Sequence, residues 1–96
     1  MATPAFAVLS SPVFGMRNNC VAIAERDISL CKGLDCKGVL ANDRKICASN
    51  DCRAMVDGEP RLCLTKDCRA YVAGDAALCD SKACRAVISR TKKDCP

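Results

Sequence analysis

The sequence predicts an all-α fold: a small disulfide-stapled α-solenoid of five 16-residue helix-turn-helix repeats over residues 20–96, preceded by an apolar, cysteine-free arm over residues 1–19. Three observations predict it. Ten of the 96 residues are Cys and none is His. A short chain with Cys above about 8–10% reads as a disulfide scaffold. The cysteines are Cys20, Cys31, Cys36, Cys47, Cys52, Cys63, Cys68, Cys79, Cys84 and Cys95, and their spacings alternate 11 and 5 without exception, a period of 16. Finally, the chain has only three aromatic residues, Phe6, Phe14 and Tyr71, and no Trp. A domain this short and this poor in aromatics needs covalent staples.

The arm comes first. Residues 1–16, MATPAFAVLSSPVFGM, carry no charge before Arg17. A secretory signal needs a basic segment ahead of its apolar stretch, so this is a poor signal or the mature remainder of one. Pro4 and Pro12 argue against a continuous helix there. No apolar run approaches the roughly 18 residues that span a membrane.

The repeat units begin at Cys20, Cys36, Cys52, Cys68 and Cys84, and the match extends beyond Cys. The third column reads Ala22, Gly38, Ala54, Ala70, Ala86, and the fourth Ile23, Val39, Met55, Tyr71, Val87. The eleventh reads Leu30, Ile46, Leu62, Leu78, then breaks to Asp94. Each unit reads as two short helices. Ser49, Thr65 and Ser81 are N-caps, with Gly33 in the same column, because a hydroxyl accepts from a free backbone N–H. Asp35, Asp51 and Asp67 follow in the first turn, where the helix dipole favours an acid. Asn42, Gly58 and Gly74 tolerate the left-handed position that ends the helix. Asp27, Asp43, Glu59, Asp75 and Thr91 then open a second helix of about one turn, with Pro60 at a favourable first position. The alternative is a β-solenoid with 16-residue coils. It would show period-two alternation, whereas runs such as Ala70-Tyr71-Val72 are continuously apolar.

Pairing each Cys-x10-Cys, from Cys20–Cys31 to Cys84–Cys95, uses every cysteine. Pairing across each Cys-x4-Cys leaves Cys20 and Cys95 over. Full tiling favours the first arrangement, with one staple inside each unit, although spacing alone does not fix connectivity. Metal ligation is the competing use. Ten thiolates without His suit Cu(I) or a cluster, while the Cys-x2-Cys knuckles of structural zinc are absent. Nucleophilic catalysis lacks the base that a thiol needs. No enzyme and no cofactor is expected.

Lys37, Arg53, Arg69 and Arg85 share column two and form a basic ladder. They are either a binding stripe or partners of the Asp35, Asp51 and Asp67 ladder, in exposed pairs worth about 0–1 kcal/mol each. The last unit, with Lys92, Lys93 and Asp94, reads as a polar end cap. The first is unusually apolar at Val21 and Ile28, and the arm, with Phe6 and Phe14, is expected to cover it or to lie on a neighbouring subunit. Candidate interaction residues are therefore Phe6, Phe14, Val21, Ile28, Lys37, Arg53, Arg69 and Arg85.

In general terms the array resembles disulfide-stapled helical-hairpin and helical-repeat proteins. Its period is shorter than the usual helical repeats of about 33–47 residues, and no functional residue carries over. The functional expectation is a non-enzymatic, rigid repeat scaffold in an oxidising compartment: secreted, periplasmic or on an extracellular surface. It would act as a structural or interaction protein, as in a filament, coat or decoration subunit that self-associates or binds a protein partner through its arm. The alternatives are a thiol-rich metal-binding or storage protein and, more weakly, a disulfide-rich toxin, inhibitor or ice-binding protein. Nucleic acid is not an expected partner, because stacking aromatics are missing.

Overall fold

A computed structural model describes residues 12–96. Among these, five α-helices alternate with short 3-10 turns: α1 (Arg17–Glu25), α2 (Leu34–Ala41), α3 (Asn50–Asp57), α4 (Lys66–Ala73) and α5 (Lys82–Ser89). The last four begin at intervals of 16 residues. The 3-10 turns Ile28–Leu30, Pro60–Leu62, Ala76–Leu78 and Lys92–Asp94 keep the same register, with a hydrogen-bonded turn at 44–46 in the second unit. No strand is present among the described residues.

The capping chemistry sets these boundaries. The Ser49, Thr65 and Ser81 hydroxyls each accept from the backbone N–H three residues on, at Cys52, Cys68 and Cys84. Each satisfies a donor that the first helical turn leaves free. At the other end, Arg26, Asn42, Gly58, Gly74 and Arg90 are all left-handed. The 3-10 turns are capped in turn by Asp27, Glu59 and Asp75, which accept from the N–H two residues on. Hydrogen bonds from the Arg61 side chain and backbone N–H, together with the Arg61 charge, hold the Glu59 carboxyl below the ordinary carboxylate range.

The array is not an open stack. Each helix packs on the next, and α5 packs on α1, which closes a ring. The disulfides follow the same circuit: Cys31–Cys36, Cys47–Cys52, Cys63–Cys68 and Cys79–Cys84 join consecutive units, and Cys20–Cys95 joins the last to the first. The expected pairing within Cys-x10-Cys is therefore wrong. Its elimination argument assumed that the two ends of the array lie apart. Once they meet, a single rule, from the twelfth column of one unit to the first of the next, uses all ten cysteines. The expected end caps fail for the same reason. Unit one is covered by α5 and by the Lys92–Asp94 turn, and Lys92 Nζ sits 3.1 Å from a Glu25 carboxylate oxygen.

The third column explains how the helices approach. Ala22, Ala54, Ala70 and Ala86 are buried, and a Cβ on Gly38 would lie 2.9 Å from Cys47 Sγ and 3.0 Å from Cys52 Sγ. At Gly38 the missing Cβ makes room for the disulfide that joins its unit to the next. The space inside the ring is filled from outside the repeat. The Pro12–Phe14 turn packs against α1, α2 and α3, and the Phe14 ring lies 6.2 Å from that of Tyr71 on α4. Val13 and Phe14 are 0% and 1% exposed, in one core cluster with Ile23, Met55 and Val87.

Candidate interaction surface

Three kinds of residue repeat around the ring: an inward acid, an outward base and an outward aliphatic. Of the two expected roles for the bases, pairing with the acids is not what the structure shows. Asp51 and Asp67 are buried at 2% and 0% exposure. Asp67 accepts from the N–H groups of Asp80 (2.7 Å) and Ser81 (3.3 Å) and from the Ser81 hydroxyl (2.6 Å). Asp51 accepts from Leu64 N–H and the Thr65 hydroxyl, both at 2.7 Å. Asp35 accepts from Ala48 and Ser49 N–H, and Asn19 from Lys32 N–H. Each carboxylate thus ties the start of its own helix to the backbone leading into the next.

None of the bases in column two forms an ion pair with these acids; the ion pairs among the described residues are Arg44–Asp57, Arg61–Glu59, Lys66–Asp80 and Lys92–Glu25. Arg53 and Arg85 instead donate to the carbonyls of Cys47 and Cys79, each at 3.4 Å, folding back over their own disulfide loops. Lys37 and Arg69 are exposed. The ladder therefore lies on the periphery, with half-buried Val21 completing the column in unit one.

The remaining candidate residues divide. Phe14 is consumed by the protein's own core. Phe6 lies outside the described residues. Ile28 stays 46% exposed, so the arm segment that is described does not cover it. It belongs instead to a group of outward aliphatics that includes Leu30, Leu34, Leu62, Leu64 and Leu78. The eleventh-column members Leu30, Leu62 and Leu78 are 37%, 41% and 49% exposed. The column thus faces outward in these units, with Ile46 half-buried in the second.

Three groups, Asp35–Cys47–Cys52, Asp51–Cys63–Cys68 and Asp67–Cys79–Cys84, bring a carboxylate oxygen and two sulfurs within 4.8 Å of one another. Metal ligation needs thiolates, and every cysteine of this form is in a disulfide. The carboxylates are already engaged by backbone N–H groups. In this form the groups act as structural clamps. Among the described residues, no helix is long and apolar enough to cross a membrane. Five disulfides fit an oxidising compartment. Compared with known protein families, curated proteins and solved structures, the chain matches none.

Proposed function

We propose that the protein is a non-enzymatic scaffold, secreted or displayed on an extracellular surface, that presents a fixed peripheral surface for self-association. One observation carries this reading: each unit is covalently joined to the next and the last to the first, so the surface keeps its geometry where reducing systems are absent. That surface carries the half-exposed Leu30, Leu62 and Leu78 at repeat positions and a column-two base in four of the five units. Contiguous exposed apolar patches mark interaction sites, and we assign these leucines to one. The arm ahead of Pro12, with Phe6, is the second element assigned to association.

Light scattering over a range of concentrations tests this. The full chain is expected to associate reversibly. Leu62→Lys combined with Leu78→Lys should return it to a monomer with only a small loss in melting temperature, since about half of each side chain is already in water. Deleting residues 1–11 leaves Val13 and Phe14 in place and isolates the contribution of the arm. A monomer at every concentration overturns self-association.

A further inference from the structure

The left-handed position that ends each helix is Asn42, Gly58 and Gly74 in three units, but Arg26 (φ 59°) and Arg90 (φ 57°) in the other two. Glycine adopts this conformation freely and asparagine tolerates it; arginine adopts it at a cost. A cation near a helix C-terminus is favourable, and Arg26 does donate to the Ile23 carbonyl at 3.2 Å. That benefit is open to every unit, however, and the arginines occur only in the two units that meet at the ring closure. There they line a single pocket of about 300 Å³ with Tyr71, Gly74 and Ile88.

The polar groups of this pocket are of one kind. Arg26 Nη1 donates to the Tyr71 hydroxyl at 3.4 Å, which leaves that hydroxyl's own proton free to point elsewhere. Neither arginine takes part in an ion pair among the described residues. No carboxylate lines the pocket. The Tyr71 ring is held from behind by Phe14, and Ile88 supplies an apolar wall. The Arg26 guanidinium and the Tyr71 phenol, with Arg90 as a second basic residue of the lining and apolar carbon beside them, match an oxyanion carried on a hydrocarbon group. We propose that this pocket binds a small organic anion, a carboxylate or phosphate monoester with an apolar tail.

Tyr71 is the only Tyr, and there is no Trp, so intrinsic emission above 300 nm reports this pocket alone. The oxidised full chain is titrated at fixed ionic strength with hexanoate, hexyl phosphate, inorganic phosphate and hexanol. At least one of the two organic anions is expected to give a saturable change, and the stronger of them identifies the headgroup. Arg26→Gly and Arg90→Gly should each weaken that binding about tenfold or more, as expected for losing a charged hydrogen-bond donor. Glycine suits the left-handed backbone, so thermal melts of both variants should be no lower than that of the parent. The proposal is overturned if neither organic anion saturates, if hexanol or inorganic phosphate binds as tightly as they do, or if binding survives in both variants.

Discussion

Replacing Cys20 and Cys95 together by Ala opens the ring while leaving its other staples in place. Cys20–Cys95 spans 75 residues, whereas Cys63–Cys68 spans 5. The chain-entropy relation gives about 4.5 kcal/mol for the long loop and about 2 kcal/mol for the short one. The four short bridges pinch residues out of the long loop in the unfolded chain, but the dependence is logarithmic, and the closing bridge still contributes about 4 kcal/mol. Packing losses cancel in the comparison. Cys20 and Cys95 are 0% and 5% exposed, and Cys63 and Cys68 are 7% and 0%. The Cys20→Ala, Cys95→Ala pair should therefore be about 2 kcal/mol less stable than the Cys63→Ala, Cys68→Ala pair. For a domain of this size that corresponds to a melting temperature lower by about 10 °C. Guanidinium and thermal unfolding, followed by far-UV circular dichroism without reductant, measure both quantities. If opening the short loop costs as much as opening the long one, the ring closure does not dominate stability, and the circular reading of the pairing fails.

The other predictions concern the links between units. A single tryptic cut after Lys66 should leave one covalent species under non-reducing conditions, because Cys63–Cys68 crosses the cut; release of two fragments before reduction would restore the pairing within Cys-x10-Cys. Phe14→Ala should cost about 3–5 kcal/mol, the usual penalty for emptying a buried aromatic site, measured by chemical denaturation; a loss under 1 kcal/mol would show that the ring holds together without its plug. Asp67→Ala strands two backbone donors and should cost about 2–4 kcal/mol, whereas Asp67→Asn should cost clearly less, because Asn19 already makes the equivalent bond to Lys32; equal losses would mean that the acceptor oxygen is not what matters. Gly38→Ala adds helix propensity worth about 1 kcal/mol but drives a methyl into the Cys47–Cys52 disulfide, so melting should fall; a rise would show that the disulfide yields without cost.

Much of the local architecture was legible because it depends on side chains that act within a few residues of themselves. Ser49, Thr65 and Ser81 cap where a hydroxyl three residues ahead of a buried Cys must cap, and Gly58 and Gly74 end helices where the chain turns left-handed. Arg26 and Arg90 fill the same column, yet nothing in their residue type announces that conformation; the signal was the alignment of the column itself. The partners of the acids were not legible for a related reason. The acids' place in the first turn was correct, but a dipole argument is local, and the partners that bury them lie 13 and 14 residues away. The plug was half legible: the arm's apolar character pointed to burial, but its destination inside the ring depends on closure.

Closure itself left a trace in the sequence at the seam. In α2, α3 and α4 the first-turn acid accepts from the N–H 13 residues on. In α5 the position of that acid holds Ala83, and the residue 13 places later is Pro96. Proline has no N–H to donate, so acceptor and donor are missing together, and neither is left orphaned. At that point the chain's own beginning takes over. Arg17 Nη1 donates to the Cys95 carbonyl at 2.9 Å and to that of Pro96 at 3.4 Å, and the Cys20 sulfur approaches the Ala83 carbonyl, as Cys52, Cys68 and Cys84 approach those of Asp35, Asp51 and Asp67. A unit that merely capped an open array would need polar groups for water at this position. One that receives the first helix needs an acceptor for Arg17 and no unmatched donor: the Cys95 carbonyl meets the first need, and Ala83 with Pro96 the second.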